Sequence, residues 1–399
     1  MKNMIDYIEN MGHYTFEEKP FNEVDSLVLS KLAYLDFGVI EGENHGVCKS
    51  ISTLPPSNQF EQFFADVSNN KATKALYFAV IGAERYNNID FTDYVNKINI
   101  ETQSQFSAIT FLLDKDTTYV AFRGTDNTLV GWKEDFNMSF LDCIPAQLES
   151  AKYLSQIGEK FQGTLIVGGH SKGGNLAVFS ATHCTPKVQD RIQKVYNHDG
   201  PGFTSDFLAS EQFKRIADRV ETTLPKSSAV GMFLQQHETY TTIDSSSFTV
   251  FQHDPFTWCV TDDHFDYLYD IDEGSAAFRK VVSEWLTKID EEKRKKFVDT
   301  LYEIVTTTNA QTFRELRSSW QKNVITILST AKDLDDDTSS FLRDTVAAMI
   351  KLGINATASL PKINPKCFYC GKKMEYSKQP GKQMTFYCAN CDKTFAELE

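Results

Sequence analysis

The chain has 399 residues, enough for two or three domains and a sizeable core. Its 41% hydrophobic and 13% aromatic content is that of a globular protein, which excludes a disordered or fibrous one. With 54 acidic against 41 basic side chains and a net charge of −13, the molecule as a whole is a poor binder of polyanions.

No apolar run approaches the roughly 18 residues that span a bilayer. The first residues, Met1-Lys-Asn-Met-Ile-Asp, carry no apolar stretch of the secretory kind. Of the eight cysteines, Cys48, Cys143, Cys184 and Cys259 are scattered, and the other four form a metal-ligand pattern near the C-terminus. These features together predict a cytoplasmic protein with reduced thiols.

Residues 1–20 show no clear period. Val24, Leu27, Val28, Leu32 and Leu35 recur every three or four residues and predict a helix over 21–37. A loop rich in Gly and Pro follows over 38–60, then a helix over 60–85. Phe106–Asp114 and Thr118–Arg123 read as two strands joined by a tight turn at Lys115-Asp116. Residues 146–161 carry Leu148, Ala151, Leu154, Ile157 and Phe161 on one helical face.

The stretch from Thr164 to Ala177 is the centre of the chain. Leu165, Ile166 and Val167 predict a short buried strand, and residues from Asn175 a helix. Between them stands Gly169-His-Ser-Lys-Gly173, a G-x-S-x-G turn with Ser171 at its apex. Strand, sharp turn and helix form a nucleophile elbow, whose glycines let strand and helix pass without a Cβ clash. The helix N-terminus then faces the place where an oxyanion would develop. Further strands are predicted at 195–198, 219–223 and 248–252. The first ends in Asp199-Gly-Pro-Gly, the last delivers His253. Strands alternating with helices favour a parallel sheet, so the fold class is α/β.

The run from Val120 to Asp126 (VAFRGTD), followed by Trp132, Asp135 and the GGHSKGGNLA segment, resembles the class-3 lipases, a branch of the α/β-hydrolases. It is especially similar to a bacterial group of lipase-like proteins that carry GHSKGGN. The resemblance covers roughly residues 20–265. It implies an α/β-hydrolase sheet and a serine esterase activity on carboxylic esters, lipid or lysolipid among them. It also implies an oxyanion hole whose first donor is Thr125, completed by Lys172, the residue after the nucleophile.

A nucleophilic Ser needs a base and a carboxylate to orient that base. In this fold they follow in the order Ser, acid, His. Ser171, Asp199 and His253 satisfy that order. His264 and His237 are the alternatives for the base. For the acid, class-3 lipases use an Asp in a later Asp-x-Val-Pro turn, where this chain has Glu221-Thr-Thr-Leu-Pro225 and no Asp. The role therefore moves to Asp199, with Glu221 and Asp244 as alternatives. No cofactor is expected for this chemistry. His170 and His198 precede the candidate residues, so on a strand their side chains face the other way.

Residues 271–360 predict a helical extension, and Asn364-Pro365 a linker. Beyond it, Cys367-x-x-Cys370 and Cys388-x-x-Cys391 are separated by 17 residues, the spacing of a structural zinc ribbon. Residues 361–399 hold seven Lys against four Asp or Glu, and contact with a protein is favoured there over nucleic acid. The expected division is 1–270 hydrolase domain, 271–360 helical extension and 361–399 ribbon. The competing reading is a hydrolase fold kept as an inactive platform, with the ribbon binding a protein or nucleic acid.

Overall fold

The structure, a computed structural model, describes residues 2–42, 46–65, 67, 69–99, 104–125, 138, 143–226, 228, 230–231, 240–247 and 252–268, together with the backbone of 375–377, 385–388 and 393–396. The chain falls into two compact units, Met1–Arg343 and Asp344–Glu399. The expected boundaries at 270 and 360, and the expected helices between them, lie outside the described residues.

The first unit is built on a nine-stranded sheet. In chain order the described strands are β1 (Lys49–Ser50), β2 (Asp90–Asn99), β3 (Ser104–Leu112), β4 (Thr117–Phe122), β5 (Thr164–His170), β6 (Ile192–His198), β7 (Val220–Pro225), β8 (Tyr240–Ile243), β9 (Val260–Thr261), β10 (His264–Phe265) and β11 (Tyr267–Leu268). The sheet runs β1-β2-β3-β4-β5-β6-β7-β8-β11, and β9 and β10 pair apart from it. Strands β4 to β8 are parallel, while β1 to β4 and β11 pair antiparallel. This is the α/β architecture expected, with a parallel centre of the α/β-hydrolase type.

The main described helices are α1 (Met4–Met11), α2 (Glu23–Leu32), α3 (Asn70–Gly82), α4 (Pro145–Lys160) and α5 (Lys172–His183). Helix α4 links β4 to β5, and α5 links β5 to β6. Both faces of the sheet are covered, which explains the near-continuous apolar runs of its central strands. Alternation assigns the sides. Tyr119, Ala121 and Ile166 join α1, α2 and Trp258 in one cluster. Val120, Phe122, Leu165 and Val167 join Leu154, Ile157 and Leu176 in the other.

The N-terminal helix was not legible as a period, yet its caps are in the sequence. Asn3 accepts from the Ile5 N–H at 2.8 Å, and the Asp6 carboxylate accepts from the Asn3 N–H at 2.7 Å, a capping box. Met4, Tyr7, Ile8 and Met11 then bury one stripe. The expected helix over 60–85 is broken. Phe60–Phe63 forms one turn, and α3 starts afresh after Asn69, whose side chain caps the Ala72 N–H. Gln252 and His253 lie in a short 3-10 turn instead of at a strand's end, and residues 248–251 lie outside the described ones.

These N-terminal elements are held by a buried ion pair. Arg85 Nε donates to Asp25 Oδ1 at 2.8 Å, and both side chains are fully buried. Tyr7 and Tyr86 hydroxyls donate to the same oxygen at 3.0 and 2.8 Å, and Arg85 also reaches the Lys19 and Pro20 carbonyls. Breaking such a pair strands a buried charge. Asp25→Ala is expected to lower the unfolding free energy by about 3–5 kcal/mol in a urea titration. A loss below about 1 kcal/mol would show that the pair contributes nothing.

Candidate functional site

Parallel pairing sets the site. His170 at the end of β5 lies beside His198 at the end of β6, so Ser171 and Asp199 leave neighbouring strands at the same edge. The Ser171 N–H donates to the His198 carbonyl at 2.9 Å, and the Asp199 N–H to Thr223 on β7 at the same distance. Both residues have positive φ, 61° for Ser171 and 54° for Asp199. Non-glycine residues in that region carry backbone strain and cluster at functional sites.

The elbow explains its glycines. A Cβ on Gly169 would stand 2.2 Å from the Gly173 carbonyl carbon, and one on Gly173 would stand 2.1 Å from the Phe122 carbonyl oxygen. Strand β5, helix α5 and the end of β4 thus meet at distances that exclude side chains.

His253 joins the two strand ends. Its Nε2 lies 2.9 Å from Ser171 Oγ and its Nδ1 lies 2.7 Å from Asp199 Oδ2. The Asp199 side chain is fully buried, that of His253 is 26% exposed, and Ser171 is buried. The second Asp199 oxygen accepts from the Ser228 hydroxyl and, at 3.2 Å, from the Gly231 N–H. With the carboxylate accepting from Nδ1–H, the Nε2 lone pair faces the Ser171 hydroxyl.

The other candidates stand elsewhere. Glu221 pairs with Lys194, and Asp244 with Lys226. His264 faces Asp263 at 3.1 Å, which holds the Asp263 carboxyl below its usual range, and stacks on Tyr267. His237, Trp132 and Asp135 lie outside the described residues.

Thr125 lies three residues past the end of β4, whose Phe122 lies beside Gly169. A Cβ on Gly124 would stand 3.0 Å from the Ser171 Cβ, so this segment passes the serine closely. Lys172 is the first residue of α5. Its side chain turns away from the serine, and Nζ donates to the Gln105 carbonyl at 2.9 Å.

Sequence reasoning missed the braces. Asn175, in the second half of the GHSKGGN run, donates to the Pro201 and Gly202 carbonyls at 3.1 Å and accepts from Gln147 of α4 at 2.8 Å. It fixes the turn that follows Asp199. Ser228 and Gly231 lie in the Lys226–Gly231 stretch after β7, whose Ser and Gly residues are the only hint the sequence offers. His198 faces away from the serine, onto Ser26 of α2 at 2.9 Å, and burial pushes its pKa down to about 3.

In the second unit, β12 (Glu375–Ser377), β13 (Thr385–Cys388) and β14 (Lys393–Ala396) form an antiparallel sheet. Cys388 closes β13. Cys367, Cys370 and Cys391 lie outside the described residues. Glu375 lies beside Tyr387 and Cys388 beside Lys393. The chain therefore enters β12 and leaves β13 at the same end of this sheet. In the sequence one C-x-x-C pair precedes β12 and the other begins at Cys388, and four thiols form a donor set that suits zinc.

Fold and elbow together define an α/β protein with a parallel sheet of the hydrolase type. The chain belongs to the Mbeg1-like family, whose model matches residues 80–303. No curated protein sequence matches it. Among solved structures it is similar to the Rhizomucor miehei lipase in its propeptide complex, at 14% identity and a TM-score of 0.33, over 55% of this chain and 66% of that one. It is also similar to the Lip2 lipase from Yarrowia lipolytica, at 12% identity and a TM-score of 0.36, over 62% of this chain and 96% of that one. The chain thus spans just under two thirds of the Rhizomucor enzyme's chain. Likeness so remote carries no information on substrate.

Proposed function

We propose that the protein is a serine esterase of the lipase-like kind, acting on carboxylic esters with Ser171 as nucleophile, His253 as general base and Asp199 as the orienting acid. The observation that carries this reading is the unbroken hydrogen-bonded line from Ser171 through His253 to Asp199.

In the first step Ser171 Oγ attacks the ester carbonyl while His253 Nε2 takes its proton. Asp199 stabilises the resulting imidazolium and stays ionised. The oxyanion develops against the backbone N–H groups of Lys172 and Thr125, at the positive end of α5. Collapse of the intermediate expels the alcohol, which takes the proton from His253. Water, deprotonated by the same histidine, then attacks the acyl-serine and releases the acid. Lipid or lysolipid esters are within this chemistry, and no cofactor takes part in it.

The C-terminal unit is proposed to be a zinc ribbon held by Cys367, Cys370, Cys388 and Cys391. The spacing of the two C-x-x-C pairs supports this, as does a register in which the chain enters β12 and leaves β13, whose last residue is Cys388, at the same end of the sheet. Zinc would supply a closed tetrahedral staple, stabilising a module too small to build its own core. Its surface is proposed to contact a protein. The proposed domain division is the one expected, with the hydrolase over 1–270, an extension over 271–360 and the ribbon over 361–399.

Ser171→Ala is expected to abolish hydrolysis of p-nitrophenyl esters with an unchanged melting temperature. Asp199→Asn should lower kcat by roughly a thousandfold or more. Unchanged turnover in purified Ser171→Ala would remove Ser171 from the mechanism. Metal analysis is expected to find one zinc per full chain, and none after truncation near residue 360, with esterase activity largely retained. Loss of turnover in a folded truncated protein would place the ribbon within the active-site architecture and overturn the division.

A further inference from the structure

The triad does not account for a third imidazole beside it. His170, the residue before the nucleophile, is 4% exposed, and its ring centroid lies 4.6 Å from that of His253. Its Nε2 lies 2.9 Å from the backbone carbonyl oxygen of His253. A carbonyl only accepts, so Nε2 must carry the proton. On the other side of the ring Nδ1 lies 3.2 Å from the Tyr34 hydroxyl, two residues beyond α2. A neutral ring with its proton on Nε2 presents a lone pair there, and Tyr34 donates to it. The surroundings favour the neutral ring. Burial pushes the His170 pKa well below its usual value, and the charges of His253, Lys31 and His198 push it the same way, against the smaller opposing pull of the bond to the His253 carbonyl. The Trp258 ring, 5.9 Å away, adds an apolar wall.

We propose that His170 is a positioning residue for the base: its Nε2–H holds the His253 carbonyl and so sets where the His253 ring stands over Ser171. This rests on the esterase reading above. The physical point is that one short segment locates both reacting groups. His170 ends β5, where pairing with His198 of β6 fixes it. The next residue is the nucleophile, while its own side chain pins the base, 83 residues on. Other anchors hold the same turn from behind. Trp258 Nε1 donates to the Gln252 carbonyl at 2.7 Å, and Asp254 accepts from the Phe256 N–H at 3.1 Å. The Gln252 carbonyl belongs to the peptide that enters His253, so Trp258 fixes that side of the residue and His170 fixes the peptide that leaves it. Tyr34 serves at one remove, by holding His170 in the tautomer that can donate.

Two variants of similar length separate this role from mere packing. His170→Gln keeps an N–H donor at the same reach, and His170→Met has none. In ester hydrolysis His170→Met is expected to lose roughly tenfold or more in kcat at unchanged KM, since small misplacement of a catalytic group costs about that much. His170→Gln should stay within about threefold of wild type, the scale of one modest hydrogen-bond change. Equal losses in both variants, or a loss that follows melting temperature, would overturn the proposal. Nitrogen-15 NMR of the wild-type imidazoles is independent of whether either variant folds. It should show His170 neutral with the proton on Nε2 at neutral pH, and a proton on Nδ1 would overturn it. If the wild type is inert towards esters, the esterase reading falls and this role falls with it. An active wild type with equal Gln and Met variants sinks the positioning role alone.

Discussion

Everything at the site depends on the parallel contact between β5 and β6. Because His170 and His198 are register partners, the next residue on each strand emerges at the same sheet edge. One is a serine and the other an aspartate, both bent out of the strand with positive φ. The strain is sustained because the surroundings over-determine it. The Ser171 N–H is committed to His198, the Asp199 N–H to Thr223, and glycines at 169 and 173 leave no slack between strand and helix. A Cβ at either glycine would push α5 off the sheet and carry Ser171 with it.

The electrostatics of the site follow from burial. Asp199 has no exposed side-chain surface, and a carboxylate there must be fully hydrogen-bonded. His253, Ser228 and Gly231 provide for both oxygens. This arrangement keeps the acid an acceptor, which in turn fixes the His253 tautomer. The neighbouring imidazoles go the other way. His198 and His170 are buried with depressed pKa values, so neither competes with His253 for a proton. Three histidines within one layer thus divide into one that faces the serine and two that face the α2 side.

Much of this was legible in the sequence, for physical reasons that differ by element. The elbow is local: five residues, their flanking strand and the start of a helix carry its geometry, and the strand and helix lie where the periodicity put them. The strands at 104–112 and 117–122, expected at 106–114 and 118–123, were readable from their apolar runs and the turn between them, and helix α4 from the three-and-four spacing. What was not legible is non-local or too short to show a period. Strand β8 has four residues, β9 to β11 have two each, and their pairing depends on chain far away. Helix α1 hid because two turns give too few apolar positions, although Asn3 and Asp6 announce it. Strand β2 escaped because its outer half faces solvent and reads as polar. Asn175 and Tyr34 could not be assigned from one sequence, and Ser228 had only its Ser- and Gly-containing stretch as a hint, since each matters only through the residue that it reaches in space.

The most direct test of the central claim is a crystal structure of the protein after reaction with a fluorophosphonate ester. The account predicts a single covalent adduct on Ser171 Oγ, with the phosphoryl oxygen within hydrogen-bond distance of the Lys172 and Thr125 backbone N–H groups and His253 still bonded to Asp199. Absence of any adduct, or an adduct on a different residue, would contradict it.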